Sequence, residues 1–353
     1  MSTAASLTLL GPSPSLGVRP AGRVQPGPPA GWYAVAFSSE VAPGALLTRR
    51  FVGGEVIVYR TASGRAVVTH PYCPHLGAHL AHGGRVEGET LRCPFHGFRF
   101  DPQGACVAAY PGKKVPPKCQ LPVLPVREKN GVILVFFHPY GAAPTWEVPD
   151  LDPTGFRPLR FATFDLAGHP QETTENSVDI GHLSVVHGYE DVAPLAPVTA
   201  EGPVLHGRYS MRRRRGGMSK AVTSDFALWA WGLGYSVVEV HVREHGLVLR
   251  NLVLATPSSS GRVDLRIALS LRRIESKRAL HPLAVLAPCA LLEWVLERVA
   301  MRAFAADVQQ DFDMWNHKTM LERPALADGD GPVGLYRSWA RQFYPVDEGE
   351  QVH

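Results

Sequence analysis

The chain has 353 residues, 45% hydrophobic and 19% charged, with a formal net charge of +4. That length is enough for two domains, each with its own core. The mild, dispersed charge offers no basic face for nucleic acid, and no apolar run reaches the roughly eighteen residues that a bilayer span needs.

Residues 1–30, from "MSTAASLTLLGPS" to "GPPA", are rich in Pro, Gly and small side chains. They lack the basic start and longer apolar core of a secretory signal, so a flexible extension with little to bury is expected. Residues 31–140 read as short strands broken by Gly and Pro. "EVIVYR", "AVVTH" and "GVILVFFH" are β-rich runs, punctuated by turn signals at Ser63-Gly64 and Asn130-Gly131. A small all-β domain is predicted here.

Inside that domain lies "YCPHLGAHLAHGGRVEGETLRCPFHGFRFD". Cys73 and His75 are two residues apart, and Cys93 and His96 three apart. Zinc sites more often pair Cys with Cys and His with His. One thiolate and one imidazole per loop suits a 2Fe–2S cluster of the Rieske type, with Cys73 and Cys93 on one iron and His75 and His96 on the other. The nearby glycines, Gly77 and Gly97 among them, permit the tight backbone such loops need. His79 and His82 read as loop histidines. Five Cys is an odd number, and Cys106, Cys119 and Cys289 show no paired spacing that reads as a disulfide framework. A reducing, cytoplasmic setting is expected.

A Pro-rich linker, "PYGAAPTWEVPDLDPTGFRP", leads to a second domain assigned to residues 155–345. Its opening motif, "ENSVDIGHLSVVHG", reads as a helix with Asn176, Asp179 and His182 on one face. His187 is five residues beyond His182, about 140° away on an ideal helix. Both imidazoles can bind one metal only if the helix ends between them. Two His with one carboxylate form the facial triad of non-haem Fe(II). Strand candidates follow in "GYSVVEVHVRE", "LVLRNLVLAT" and "VDLRIALSLRR". In the last, Val263, Leu265, Ile267, Leu269 and Leu271 alternate with Asp264, Arg266, Ala268 and Ser270, predicting a half-buried strand. From about Pro288 to Glu322 the spacing of Leu291, Leu292, Val295, Leu296 and Val299 predicts a long helix with an ordinary core-facing stripe. "HPLAVLAPCALLEWVLERVA", residues 281–300, offers a rival reading as an apolar lip near a cavity mouth, and peripheral membrane contact is a further expectation. "MRRRR" at Met211–Arg215 reads as a docking patch for an acidic reductase or lipid, or as a solvated strand end. Trp229 and Trp231 read as pocket lining or as core.

Together these motifs resemble the α-subunits of Rieske non-haem iron oxygenases, from about Gly31 to Tyr344. In loop detail, "PHLGAHLAHGG" and "QQDFDMWNHK" are most similar to ketosteroid hydroxylases and cholesterol desaturases of that type. The resemblance implies an α+β chain: an all-β Rieske domain, then a helix-grip catalytic domain with an antiparallel sheet and a long C-terminal helix. It implies that a carboxylate from that helix completes the iron site, with Asp311 favoured over Asp307 and Asp313. It gives Asp179 a relay role, bonded to an iron-ligand His and to a Rieske His of a neighbouring subunit, hence a homotrimer. Asn176 lies near the iron or serves a structural hydrogen bond. Respiratory members carry extra Cys at the positions of Ala78 and Phe95, and hydroxyls at those of Phe98 and Phe100. Their absence implies a low-potential cluster.

The expected activity uses O2 and electrons from NAD(P)H, delivered by a flavin reductase or ferredoxin, to hydroxylate, desaturate or oxidise a methyl group of a sterol or steroid. A smaller aromatic substrate is the alternative within the class. An electron carrier, or a lipid-binding protein with an inert catalytic domain, is the alternative outside it.

Overall fold

The computed structural model describes residues 26–214, 221–274, 276–280 and 282–346. Most of the expected N-terminal extension, and Arg215 of the arginine run, lie outside the described residues. The first strands are β1 (Gly31–Phe37), β2 (Leu46–Phe51), β3 (Gly54–Arg60), β4 (Ala66–Thr69) and β5 (Arg85–Glu87). β6 (Thr90–Arg92), β7 (Arg99–Phe100), β8 (Cys106–Ala108), β9 (Val126–Lys129) and β10 (Val132–Phe137) complete the module. They form sheets of order β1-β10-β9, β2-β3-β4 and β5-β6-β7-β8. Asn130 and Gly131 join β9 to β10 with φ of 55° and 77°, the left-handed pair that a two-residue hairpin turn requires.

The rest of the chain builds one antiparallel sheet and its helices. After β11 (Arg160–Ala167) come α1 (Pro170–Glu175) and α2 (Gly181–Val185), then β12 (Glu190–Glu201), β13 (Val204–Arg213) and β14 (Val222–Trp231). β15 (Tyr235–Val242), β16 (Leu247–Ser259) and β17 (Arg262–Leu271) are followed by α3 (Lys277–Leu280), α4 (Cys289–Gln310), α5 (Phe312–His317) and α6 (Val333–Ala340). The seven strands run in the order β11-β17-β16-β15-β14-β13-β12, and α4 crosses β17 and β11.

The face of this sheet away from α4 packs on the N-terminal module. Trp32, Ala34 and Phe136 share a core with Tyr235, Leu252 and Ala268. This corrects the reading of β17 as half-buried. Asp264, Arg266 and Ser270 are 6%, 3% and 3% exposed, because their side also meets protein. Arg266 donates to Ala34 O, and Asp264 accepts from Arg50.

Two helix expectations also change. The predicted single helix through Asn176, Asp179 and His182 is two short ones, with Asn176 capping α1 and Asp179 in the gap. The loop at residues 327–331 fills that gap, so closely that a side chain at Gly331 would meet Val178 O at 2.2 Å. The helix expected to run to Glu322 breaks at Asp311, and α5 ends at His317. Its apolar stripe does not face a core: Leu291, Val295 and Val299 are exposed, whereas Glu293 and Glu297 are buried. The acids turn inward because Arg157 and Arg160 meet them there.

Candidate metal centres and cavity

Cys73 and Cys93 open two loops of the same backbone design. The Cys73 N–H donates to Ala78 O, and the Cys73 carbonyl accepts the Gly77 N–H, each at 2.9 Å. Cys93 repeats this with Phe98 O at 2.7 Å and Gly97 N–H at 3.1 Å. Gly77 and Gly97 have φ of 74° and 73°, which side chains resist. Both thiols are buried, while His75 and His96 are half-buried with ring centroids 4.8 Å apart. His75 stacks on Phe98 at 4.3 Å. Burial and the adjacent Cys93 push the Cys73 thiol up to about 11. Two thiols crowded in an apolar pocket beside two paired imidazoles are a donor set that fits a 2Fe–2S cluster. Phe98 and Phe100 are buried in the same core, so those positions offer no hydroxyl to it.

A further thiol pair escaped the sequence. The Cys106 N–H donates to Cys119 O at 3.3 Å beside the Ala105–Gln120 bridge, setting the two cysteines opposite one another. Both are free thiols, and burial pushes that of Cys119 up to about 12.

The second donor set forms where two helices stop. α2 ends at Val185, Gly188 adopts φ 66°, and His187 turns back so that its ring lies 5.1 Å from that of His182. The helix end that the spacing required is therefore present. Asp311, 7% exposed at the break after α4, brings its Oδ2 to 3.4 Å from His187 Nε2. Donor atoms of His182, His187 and Asp311 all lie within 4.8 Å of one another. Asp307 is engaged elsewhere, accepting from Arg213 at 2.5 Å and from Tyr189 Oη at 3.4 Å. Asp313 is exposed on α5.

Each imidazole is aimed by a partner on its far nitrogen. His182 Nδ1 donates to Asp179 O at 2.5 Å, a carbonyl released from helix bonding by the gap between α1 and α2. The Asp179 carboxylate accepts the His182 N–H at 3.3 Å, and its Oδ2 lies 3.7 Å from Nδ1. Burial opposes its charge, yet these contacts hold the Asp179 carboxyl below its ordinary value. His187 Nδ1 donates to Gln310 Oε1 at 2.9 Å, which leaves Nε2 facing Asp311. Bonds of this kind fix the tautomer and orientation of metal-binding histidines. Gln310 was not foreseen. Its only sequence signal is adjacency to Asp311 in "QQD".

His187 and Asp311 sit in the wall of a cavity of about 470 Å³ between the sheet and α4. Phe226, Val240, Leu249 and Leu271 supply apolar floor, Phe304 and Val308 the roof. Asn176, Ser177, His187 and Asp311 mark one region of the wall, and the Trp315 indole N–H donates to Asn176 Oδ1 at 3.4 Å. Two buried polar groups in the lining, Tyr209 Oη and Asn251 Oδ1, lack a hydrogen-bond partner. Trp229 and Trp231 are not among the lining residues; Trp229 stacks on His206 instead. Of the arginine run, Arg212 pairs with Asp191 and Arg213 with Asp307. Among the described residues no helix is long and apolar enough to cross a membrane.

Comparison with known proteins agrees with both halves of this geometry. Residues 31–125 match the Rieske [2Fe-2S] domain, and residues 135–344 match the 3-ketosteroid 9alpha-hydroxylase C-terminal domain. The chain is 30% identical over 346 residues to cholesterol 7-desaturase nvd of Bombyx mori, covering 91% of this chain and 71% of that one. It is 24% identical over 330 residues to the oxygenase component of 3-ketosteroid-9-alpha-monooxygenase of Rhodococcus rhodochrous, covering 89% and 83%. Among solved structures, Pseudomonas putida CBB5 NdmA with caffeine aligns with TM-score 0.67 at 16% identity, covering 88% of this chain and 89% of that one. Dicamba monooxygenase bound to dicamba aligns with TM-score 0.63 at 18% identity, covering 89% and 96%. The chain therefore belongs to the Rieske non-haem iron oxygenases, oxidoreductases with a Rieske 2Fe–2S cluster and a mononuclear iron, in the branch with the 3-ketosteroid 9α-hydroxylase C-terminal domain.

Proposed function

We propose that the enzyme oxidises a sterol or steroid, by hydroxylation, desaturation or methyl oxidation, using O2 and electrons from NAD(P)H passed on by a flavin reductase or ferredoxin. The observation that carries this reading is the convergence of His182, His187 and Asp311, with His187 and Asp311 set in the wall of one large, mostly apolar cavity. Cys73, His75, Cys93 and His96 would hold the cluster and the triad the mononuclear iron; when bound, these groups supply one-electron relay and O2 activation.

The chain's own residues set the conditions for that chemistry. Asp179 and Gln310 hold the two imidazoles with their metal-facing nitrogens free. Phe226, Leu249 and Phe304 keep water from the reacting carbon. Asn251 Oδ1 and Tyr209 Oη lack hydrogen-bond partners in a mostly apolar lining, which favours a polycyclic ligand bearing an oxygen over a plain hydrocarbon. Asn176, bonded by Trp315 beside the triad, orients the substrate there. Asp179, with its side chain 36% exposed, remains accessible to an imidazole of a neighbouring copy, which supports the homotrimer in this reading; the location we assign is the cytoplasm. We place the working units at residues 31–140 and 155–345.

Relatives named for cholesterol and for 3-ketosteroids support this substrate class. Substrate-dependent O2 uptake with a reconstituted reductase, across a panel of sterols, ketosteroids and small aromatic acids, tests it. Product formed from a sterol or ketosteroid is expected. Turnover confined to aromatic acids would refute the substrate class, and an inert chain would favour a carrier.

A further inference from the structure

α4 is built inside out. Its acids Glu293 and Glu297 are 7% and 2% exposed, while Leu291, Trp294, Val295 and Val299 are between 41% and 52% exposed. The turn before it adds Leu286 at 81% and Val285 at 41%. Scattered exposed apolar residues are ordinary, but six within fifteen positions of one segment form a patch. The exposed charges of the segment itself have one sign, although the neighbouring turn also carries Glu244. From Ser276 to Arg302 the only acids are the two buried ones. Arg278 and Arg302 are exposed, and the Arg298 guanidinium lies 3.6 Å over the Trp294 ring.

Position links the patch to the cavity. Leu296 and Val299 of the same helix line that cavity, and Val299 is also 49% exposed, so the apolar face runs into the mouth. α3, at the start of the segment, packs against the Arg243–His245 turn, whose His245 is also in the lining.

We propose that this face docks on an anionic lipid bilayer, with Leu286, Leu291 and Trp294 entering the boundary between headgroups and acyl chains. An amphipathic surface of apolar and basic residues is what such a boundary binds. The cavity mouth then opens onto the phase in which an apolar substrate is dissolved; this consequence rests on the sterol reading above. A two-fold contact between copies fits less well, since it would gather Arg278, Arg298 and Arg302 of both copies into one interface.

The test uses the full metal-loaded chain and sterol-free vesicles, either phosphatidylcholine alone or with about one third phosphatidylglycerol, separated by flotation. The parent is expected to float with the anionic vesicles and to be released as salt rises to about 0.5 M. Leu286→Gln with Leu291→Gln should lower binding by about tenfold or more. Arg278→Gln with Arg302→Gln should lower it about tenfold on anionic vesicles and leave neutral ones unchanged. All four residues are exposed, so unchanged melting should confirm that the variants fold. A parent that stays with the soluble fraction overturns the proposal, as do variants that float like the parent. Light scattering that shows the Leu286/Leu291 variant falling from an oligomer to a smaller species assigns the face to a second copy instead. Because the vesicles carry no sterol, failure here leaves the substrate reading standing, and binding without sterol turnover defeats only that reading.

Discussion

Gln310→Ala isolates the residue that aims His187. In the folded chain Gln310 Oε1 accepts the Nδ1–H at 2.9 Å and so keeps the Nε2 lone pair directed at Asp311 and the proposed iron site. Without that acceptor the ring is free to rotate and to carry its proton on either nitrogen. Loss of a bond that orients a metal-ligating His typically costs about 10–100-fold in metal affinity, or about 1.4–2.7 kcal/mol. The fold should not share that loss. Gln310 is exposed at the last turn of α4, and Ala is a good helix former, so unfolding stability should change by less than about 0.5 kcal/mol. Competition for Fe(II) with a chromophoric chelator measures the affinity, and the visible absorption of the distant cluster serves as an internal control. An Fe(II) affinity equal to the parent's, with the cluster intact, would refute the orienting role.

Three further outcomes follow from the same geometry. Asp179→Asn should retain both metals, because His182 Nδ1 is held by the backbone carbonyl, yet lower steady-state turnover by at least about 100-fold if the charge serves the relay; undiminished turnover would remove Asp179 from the path. Burial depresses the His169 pKa to about 4 while its Nδ1 accepts the Gln171 N–H to cap α1. Its stabilising effect is complete above the unfolded value of about 6.5 and is lost as pH falls towards 4, about 3 kcal/mol in all. His169→Asn keeps a capping oxygen without titrating, so the parent's stability relative to this variant should decline over that window, and parallel pH profiles would contradict it. Asn251→Leu should weaken binding of an oxygen-bearing sterol by about tenfold or more while sparing its deoxy analogue; equal effects on both would show that the amide does not meet the ligand.

What could be read from sequence was what lies close along the chain. Cys73 with His75, and Cys93 with His96, are spaced within single loops, so their pairing follows from local geometry. The strands at Gly54–Arg60, Val132–Phe137 and Arg262–Leu271 announced themselves by composition and alternation. Relations set by tertiary contact were hidden. Gln310 meets His187 across 123 residues, and nothing in "QQD" says that one amide faces a histidine. The break that carries Asp311 inward does not show in the helical pattern, where only the resemblance favoured Asp311 over Asp307 and Asp313. Cys106 opposes Cys119 only because two loop segments run side by side. α4 misled most directly: its apolar spacing fits a core face, but Arg157 and Arg160 draw its acids inward and leave Leu291 and Val295 outside, with Leu296 and Val299 on the cavity instead.

Iron content per chain, measured on the parent and on Asp311→Ala with the cluster spectrum recorded alongside, tests the two-centre account most directly. The account requires about three irons per parent chain and about two in the variant, with the cluster signal unchanged. Two irons in both proteins, all accounted for by the cluster, would contradict it.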